Sequence, residues 1–422
     1  MYVAFDEWTQ GRSIASLGTN AGADQLPFQT WRNFKEAYAP ELVERAVRES
    51  AIPVRQALDP FGGSGTTALA CQFLGVRPTT VEVNPFLADL IEAKLNQYDA
   101  DALARDLGLI ACRATVNASK ASNRLAALPP TFVEPGVNDR WIFDQAIAAR
   151  IGALLDAIAS LADPKHCRLF RVLLGGILID VSNVVVSGKG RRYRRGWQSR
   201  TRSPSTVDEA FFASARNAIS DIHRYANRRE LGYELIRGDA RCAIDKGHWD
   251  LALFSPPYPN SFDYTDVYNV ELWALGYLSS SAANRHLREA TLSSHVQVSR
   301  SFAPPPPGSD LLDTVMTQLI ESRSKLWDAR IPDMVGAYFA DLMTVIRQIG
   351  QKLTPGGSLW LVVGDSQYAG IPIATAEIIG TLAVADKWRL RGYEPFRSIR
   401  LSAQQGGRPE LAETLIMLER GR

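Results

Sequence analysis

The sequence predicts a large α/β fold built on one mostly parallel sheet, and three observations lead to it. Short apolar segments alternate with helical ones over residues 27–100 and again over residues 231–422. Between them, residues 101–230 lose this alternation and are typical of helices, which predicts a helical insertion. The last two apolar segments are neighbours separated by a Gly-containing loop, as in a terminal hairpin. Without the insertion, seven strands and their helices remain.

The composition is that of an ordinary soluble globular chain. Its 422 residues are 46% hydrophobic and 22% charged, with a formal net charge of +2. A nearly neutral chain can bind nucleic acid only through local patches of charge. The four cysteines are far apart, without a CxxC spacing, so neither a disulfide framework nor a zinc site is indicated. With no signal peptide and no membrane-spanning apolar run, we expect a cytoplasmic protein.

A glycine-rich loop follows the first predicted strand. The segment DPFGGSGTT places Asp59 at the end of the strand, Gly62, Gly63 and Gly65 in a tight turn, and a helix from Thr66. This arrangement lets the backbone approach a ligand at a helix N-terminus. No Lys follows the last glycine, so the loop is not a Walker A loop for phosphate. A purely structural turn uses the same residues and remains the alternative.

Acidic residues end two further predicted strands. The segment RPTTVEVNP ends its strand in Glu82, roughly twenty residues after the glycine loop, a position that suits a ribose diol in this class of fold. The segment YELIRGDA ends at Asp239. With Asp59, three strand ends therefore carry an acid, and open α/β sheets bind ligands at such ends.

The segment Ser255-Pro256-Pro257-Tyr258 follows a buried strand, Asp250–Phe254. Two consecutive prolines end the strand, because neither has an N–H to donate. The turn presents a hydroxyl, free carbonyl oxygens and an aromatic ring to one small space. Such a site can accept hydrogen bonds from an amino group while stacking on the flat ring that carries it. A proline turn at a buried strand end, with no chemistry, is the alternative.

A basic segment, GKGRRYRRGWQSRTRSP, closes the predicted insertion. It contains seven Lys and Arg residues, two aromatic residues and no acid. Such runs are usually solvated surface, but cations interleaved with aromatic rings on a Gly-flanked loop are typical of an arm that follows phosphates and stacks on bases. The candidate nucleic-acid contacts are Lys189, Arg191, Arg192, Tyr193, Arg194, Arg195 and Trp197. Residues 279–310, which contain four consecutive prolines, predict a loop or lid.

The motifs DPFGGSGTT and SPPY together resemble those of the amino-methyltransferases of DNA, which modify exocyclic nitrogens of cytosine or adenine. A GDS strand, a TAEII helix and a PELVERA helix before the glycine loop match the layout of the same family. The resemblance covers about residues 30–100 and 231–422. It implies a Rossmann-like class I methyltransferase fold and S-adenosylmethionine as the cofactor.

The resemblance also implies roles for individual positions. The glycine loop would lie near the methionine part of the cofactor, Glu82 would take the ribose hydroxyls, and Asp239 the adenine amino group. The catalytic pocket would consist of Ser255, Pro256, Pro257 and Tyr258. The residues that would hold the cofactor are Asp59, Pro60, Phe61, Gly62, Gly63, Ser64, Gly65, Thr66, Glu82 and Asp239.

The sequence departs from the family in two respects. Gly62 stands where the family usually has Ala, which adds flexibility but no new chemistry. The glycine loop precedes SPPY, the reverse of the order in many members, which implies a different place for the segment that recognises the target.

The resemblance implies a site-specific DNA methyltransferase acting on N4 of cytosine, because cytosine members of the family commonly carry Ser at the first position of SPPY. A base in a duplex must be flipped out of the stack, with Tyr258 as its platform. The alternatives are methylation of N6 of adenine, in DNA or RNA, and a nucleic-acid-binding relative without catalysis. DNA is the expected partner, a cognate restriction or defence nuclease is a second candidate, and no metal or membrane is expected.

Overall fold

A seven-stranded sheet forms the centre of the protein in this computed structural model, which describes residues 3–14, 16–20, 22, 25–32, 37–115, 128–187, 190–200, 202–400 and 410–420. Two short hairpins stand apart from the sheet. The strands are β1 Gln56–Asp59, β2 Arg77–Glu82, β3 Val184–Ser187, β4 Gly190–Tyr193, β5 Glu234–Arg237, β6 Trp249–Phe254, β7 Leu353–Gly364, β8 Ser366–Tyr368, β9 Ile371–Ile373, β10 Trp388–Arg400 and β11 Glu410–Arg420.

The strand order of the sheet is β10-β11-β7-β6-β1-β2-β5. Strands β5, β2, β1, β6 and β7 are parallel, and β11 runs antiparallel between β7 and β10. Leu58 pairs with Thr79 on one side and with Ala252 on the other. The predicted mostly parallel, seven-stranded sheet with a terminal hairpin is therefore confirmed. The chain reverses its direction of travel across the sheet between β1 and β6, which is where such sheets form a crevice for ligands.

Helices cover both faces of the sheet. They are α1 Phe5–Thr9, α2 Pro40–Arg48, α3 Thr66–Leu74, α4 Pro85–Leu95, α5 Ala100–Arg113, α6 Gln145–Ala159, α7 Pro164–Val181, α8 Ser205–Arg224, α9 Ala240–Ala243, α10 Tyr264–Val267, α11 Asn269–Ala274, α12 Ser281–Glu289, α13 Asp310–Glu321, α14 Ile331–Lys352 and α15 Thr375–Ala385. Single 3₁₀ turns lie at Gln29–Trp31, Trp197–Ser199 and Arg323–Lys325.

The hydrophobic core lies in two layers because successive side chains of a strand point to opposite faces. Leu251 and Leu253 of β6 join a cluster with α2, α3 and α4. Ala252 and Phe254 of the same strand join a second cluster with α13, α14 and α15. All four side chains are fully buried, as expected for a parallel strand covered on both faces. The two layers hold the carboxyl ends of the parallel strands at one edge.

The segment over residues 101–230 packs on the first of these layers. Its helices α5 to α8 contribute to the same cluster as α3 and α4. Helix α7 approaches α4 closely at Gly175, where an added Cβ would lie 2.5 Å from the Phe86 ring. At Gly176 an added Cβ would meet the carbonyl oxygen of Trp31. The glycine pair therefore permits the close packing that the sequence indicates.

Two local predictions are wrong. The basic segment is not one loop, because Val184–Ser187 pairs with Gly190–Tyr193 as an antiparallel hairpin. The β-branched run Val184–Val186 supplies the partner strand. Residues 279–310 contain helix α12, so they are not all loop.

Candidate active site

A cavity of about 380 Å³ lies at the carboxyl ends of β1, β2, β5 and β6. The residues predicted at these strand ends, including Asp59, Glu82, Asp239 and the segment Ser255–Tyr258, line it together. Gly65 is the exception among the predicted residues. It precedes α3 with a φ of +80°, and an added Cβ would lie 3.0 Å from Ile91. Gly65 therefore shapes the loop from behind.

Asp59 fastens the glycine loop at both ends. Its Oδ1 accepts a 3.0 Å hydrogen bond from the Phe61 N–H, and its Oδ2 accepts a 2.6 Å hydrogen bond from Thr67 Oγ1 in the first turn of α3. Burial raises the pKa of Asp59 to about 6, against the opposing effect of these two hydrogen bonds. The side chain therefore holds the loop and places an acidic group at the cavity wall.

Glu82 carries a carboxyl group fixed by the backbone. Its Oε2 accepts a 2.7 Å hydrogen bond from the Gly63 N–H, and its Oε1 accepts one of 2.8 Å from the Asn84 N–H. The residue is 8% exposed, and burial raises its pKa to about 7. Each carboxylate oxygen has a second lone pair, so both can accept a further hydrogen bond from a ligand hydroxyl.

Asp239 is held by Arg241. Its Oδ1 accepts a 2.9 Å hydrogen bond from the Arg241 N–H as the cap of α9, and the Arg241 guanidinium lies 2.6 Å from Oδ2. The same guanidinium contacts Asp341 at 3.1 Å. The orientation of the Asp239 carboxylate is therefore set within the protein, because the backbone and guanidinium of Arg241 donate to both of its oxygens.

The hydroxyls of Ser255 and Tyr258 lie 3.3 Å apart at the end of β6. Ser255 Oγ donates a 3.0 Å hydrogen bond to the carbonyl oxygen of Val362, and Tyr258 Oη donates one of 2.9 Å to Glu413 Oε1. Burial raises the pKa of Tyr258 well above its usual value, and the charge of Glu413 raises it further. The sequence interpretation missed Glu413, which is 3% exposed, lines the cavity and comes from β11.

No family model matches the chain, but curated proteins match nearly all of it. Type II methyltransferase M.BsoBI of Geobacillus stearothermophilus is 22% identical over 96% of this chain and 86% of its own length. Type II methyltransferase M.AvaI of Nostoc sp. is 24% identical over 88% of this chain and 80% of its own. M.MjaII of Methanocaldococcus jannaschii is 32% identical, over 18% of this chain and 14% of its own. The chain is thus similar to type II methyltransferases over most of its length.

Solved structures of other proteins align with most of this chain, but only at low TM-scores. TehB from Haemophilus influenzae has a TM-score of 0.33 and 9% identity, covering 94% of this chain and 66% of its own. TrmN from Thermus thermophilus has a TM-score of 0.28 and 12% identity, covering 90% and 49%. The strand order of the sheet itself is that of a Rossmann-like fold.

S-adenosylmethionine is the methyl donor that the similarity to methyltransferases implies, and the cavity fits it. A glycine loop with its helix, an acid at the end of β2 and an acid at the end of β5 face one space, which offers backbone N–H groups and two carboxyl groups to a ligand that carries amino and hydroxyl groups. Both acids are already oriented, by backbone N–H groups at Glu82 and by Arg241 at Asp239. Within the described residues, no cluster of His, Cys, Asp and Glu is suited to a metal ion.

Lys94 supports the glycine loop from inside the protein, and the sequence interpretation did not single it out. Its Nζ donates hydrogen bonds of 2.7 Å to the carbonyl oxygen of Ser64 and 3.0 Å to Gln29 Oε1. The side chain is fully buried, and burial lowers its pKa to about 7. The signal in the sequence is a lysine inside the otherwise apolar helix PFLADLIEAKL.

His295 lies in the cavity wall, within the segment 279–310 that the sequence predicts as a loop or lid. It is 1% exposed, and its Nε2 lies 3.9 Å from Asp263 and 3.1 Å from the guanidinium of Arg300. Burial lowers the pKa of His295 to about 4, which keeps the ring neutral. The segment after α12 therefore contributes a neutral polar ring to the site.

The predicted nucleic-acid contacts are divided between surface and support. Arg192 and Arg195 are exposed, whereas Arg194 donates 3.1 and 2.8 Å hydrogen bonds to the carbonyl oxygens of Ser182 and Ile179 at the end of α7. Lys189 lies outside the described residues. Of the remaining predicted contacts, the half-buried Arg191 lies over the ring of Phe132. Tyr193 stacks on Trp197, with 4.9 Å between the ring centroids.

The hairpin β3–β4 lies next to a helix that lines the cavity. Its strand β4 packs beside α10. Tyr264 and Thr265 of α10 line the cavity. Exposed arginines on and after the hairpin are therefore close to the site that holds the predicted catalytic motif.

No helix among the described residues is long and apolar enough to cross a membrane.

Proposed function

We propose that the protein is a site-specific DNA methyltransferase that methylates the exocyclic N4 of cytosine. The observation that carries this proposal is the cavity itself, in which the glycine loop after β1 and the Ser255–Tyr258 turn after β6 share one space. The similarity to type II methyltransferases over most of both chains supports DNA as the substrate. S-adenosylmethionine, when bound, supplies a methyl group activated by a positively charged sulfur.

Each strand end would contact a different part of the cofactor. Glu82 accepts hydrogen bonds from the ribose hydroxyls, because both of its oxygens keep a lone pair beside their backbone donors. Asp239 accepts from the adenine amino group. The loop Gly62–Gly65 lies against the amino acid part, and the hydrogen bonds of Asp59 and Lys94 hold the loop in shape.

The Ser255–Tyr258 turn activates the amino group of the target base. This nitrogen is a poor nucleophile, because its lone pair is delocalised into the ring. Ser255 Oγ gives its own hydrogen to the Val362 carbonyl and so keeps its lone pairs for one amino hydrogen. The carbonyl oxygen of Pro256 accepts the other. With both hydrogens held, the lone pair points out of the ring plane towards the methyl group, and positioning supplies the rest of the rate.

A base inside a duplex cannot reach this cavity, so the target is flipped out of the stack. The ring of Tyr258 serves as the stacking platform and is held in place by the hydrogen bond from its hydroxyl to Glu413. The hairpin beside α10 holds the neighbouring phosphates with Arg192 and Arg195, and Tyr193 with Trp197 offers an aromatic surface for bases.

The proposal is tested by transfer of tritium from labelled S-adenosylmethionine to DNA. The wild type should label DNA, and Ser255→Ala should abolish labelling while it still binds the cofactor, because Ser255 contacts the base and not the loop. Labelling of RNA in place of DNA would redirect the proposal to structured RNA. Cofactor binding without transfer to either polymer would indicate a relative that has lost catalysis.

A further inference from the structure

A row of three side chains runs from the catalytic motif into the sheet. Ser255 Oγ lies 3.3 Å from Tyr258 Oη, which lies 2.9 Å from Glu413 Oε1. The row joins the end of β6 to β11, although Tyr258 and Glu413 are 155 positions apart in the chain. Glu413 is a 3% exposed acid that lines the same cavity as Ser255. Neither the cofactor nor the activation of the amino group explains an acid here.

Methyl transfer to an amino group leaves a proton to be removed. One nitrogen–carbon bond forms as the bond between the methyl group and sulfur breaks. The nitrogen then carries two hydrogens and a methyl group, and one N–H bond must break to give the neutral product. The positive charge that was on sulfur is thus released as a proton inside a largely enclosed site.

We propose that this proton passes along the row and ends on the carboxylate of Glu413. The amino group gives a proton to Ser255 Oγ, Ser255 gives its own to Tyr258 Oη, and Tyr258 gives its phenolic proton to Glu413 Oε1. Both hydroxyls are restored, and Glu413 becomes a neutral acid that returns the proton to water after the product leaves. This relay rests on the proposed function, because it requires an amino group bound at Ser255.

The geometry and the chemistry of the three groups favour this direction of transfer. The contact from Tyr258 to Glu413 is a formed hydrogen bond in which the phenol donates. Ser255 reaches Tyr258 by rotating its hydroxyl away from Val362, which exchanges one neutral hydrogen bond for another. A carboxylate can take up a proton and become a neutral acid, whereas an extra proton on either hydroxyl would leave a strongly acidic cation. Glu413 is therefore the acceptor of the row.

The substitution Glu413→Gln separates the relay from a merely structural role. The carboxamide oxygen of Gln still accepts the hydrogen bond of Tyr258 and keeps its ring in place, but the amide cannot take a proton. The relay predicts that the single-turnover rate of methyl transfer falls by roughly 100-fold, a usual effect of losing one proton acceptor. The affinity for cofactor and for DNA should stay unchanged.

Tyr258→Phe interrupts the same row and should lower the rate by a similar factor. The double variant should be no slower than either single variant, because residues that act as a unit do not add their effects. Glu419→Gln is the matched control. Glu419 also lies on β11, but it is outside the cavity and its Oε1 pairs with Arg391 Nε at 3.1 Å. The same substitution at this position should therefore keep the wild-type rate.

Three results would overturn the relay: a wild-type rate in Glu413→Gln, a wild-type rate in Tyr258→Phe, or rate losses that multiply in the double variant. A loss of cofactor affinity in Glu413→Gln that accounts for the whole rate loss would also contradict it. If Glu413→Gln does not fold, Tyr258→Phe still decides. The wild type in the same assay separates the two proposals, because absence of transfer by the wild type refutes the proposed function itself.

Discussion

The Gly63 N–H donates a 2.7 Å hydrogen bond to Glu82 Oε2, so the loop after β1 and the end of β2 are joined before any ligand binds. The Asn84 N–H holds the other carboxylate oxygen at 2.8 Å. Both hydrogen bonds favour the charged form of Glu82, and burial opposes them more strongly, so the pKa rises to about 7. An acid of this kind changes its charge in the pH range where the protein is assayed.

Cofactor affinity should fall as the pH is lowered from about 8 to about 6. Glu82 accepts hydroxyl hydrogen bonds as a carboxylate, and protonation removes acceptors, so the loss approaches about tenfold per pH unit below the pKa. Titration calorimetry with S-adenosylmethionine measures the affinity at each pH. Glu82→Gln should bind weakly with a flatter pH dependence, and a wild-type affinity that is constant over the range contradicts the role of Glu82.

Lys94→Met should weaken cofactor binding by about tenfold, because the loop carbonyl of Ser64 loses a charged donor.

Lys94→Met should also change the pH dependence of stability. The pKa of Lys94 is lowered to about 7 in the folded protein, so the unfolded chain binds more protons than the folded one between that value and the usual range of lysine. The free energy of unfolding of the wild type should therefore rise with pH above about 7, relative to Lys94→Met.

Denaturant unfolding of the two proteins at matched pH values measures this difference. The slope attributable to one lysine is at most about 1.4 kcal/mol per pH unit. A difference in stability that does not change between about pH 7 and about pH 9 would show that Lys94 is charged throughout that range.

Three exposed arginines on and after the hairpin should contribute to DNA binding. Replacing Arg192, Arg195 and Arg200 with Ala should weaken the affinity and reduce the dependence of its logarithm on salt by about one per lost phosphate contact. Fluorescence anisotropy with a labelled duplex over a series of salt concentrations measures both. Arg194 is left intact, because its loss would remove hydrogen bonds to the end of α7 and could lower DNA affinity by destabilising the fold.

A matched triple variant on the other layer of the fold controls for the loss of charge. Arg323, Arg330 and Arg347 lie around α14, and each pairs with an acid at the surface. Their replacement with Ala removes the same charge at little cost in stability. Equal effects of the two triple variants on the salt dependence would remove the hairpin from the proposed DNA surface.

Gly175→Ala should destabilise the protein by about 1 to 3 kcal/mol, because the new methyl group meets the ring of Phe86 where α7 crosses α4. Gly108→Ala is the matched control within α5. No atom lies within 4 Å of an added Cβ there, so it should stabilise the helix by about 0.5 to 1 kcal/mol. Denaturant unfolding measures both, and equal effects of the two substitutions would contradict the packing argument.

The parts of the site that are local in sequence could be predicted from it. Asp59, Glu82, Asp239 and Ser255 each follow an apolar strand, and parallel strands of one sheet bring such ends together. Glu413 could not be predicted in this way, because its place in the cavity depends on β11 inserting between β7 and β10. The sequence shows it as an acid near the start of a terminal strand, with no indication of which strand ends it meets.

Errors in the basic segment have a similar cause. The run Val184–Val186 continues the apolar character of α7, and only its pairing with β4 shows that the helix has ended. The position of Arg194 also depends on that pairing, because the turn after β4 brings its guanidinium to the last carbonyl groups of the helix. Charge and aromatic content identified the segment, and tertiary contacts decide which of its residues face solvent.

The central claim is tested most directly by mass spectrometry of nucleosides from DNA incubated with the protein and S-adenosylmethionine. The account predicts N4-methylcytosine in DNA treated with the wild type and none in DNA treated with Ser255→Ala. N6-methyladenine as the sole modified base would contradict the assignment of cytosine, and N4-methylcytosine formed equally well by Ser255→Ala would contradict the role given to the Ser255–Tyr258 turn.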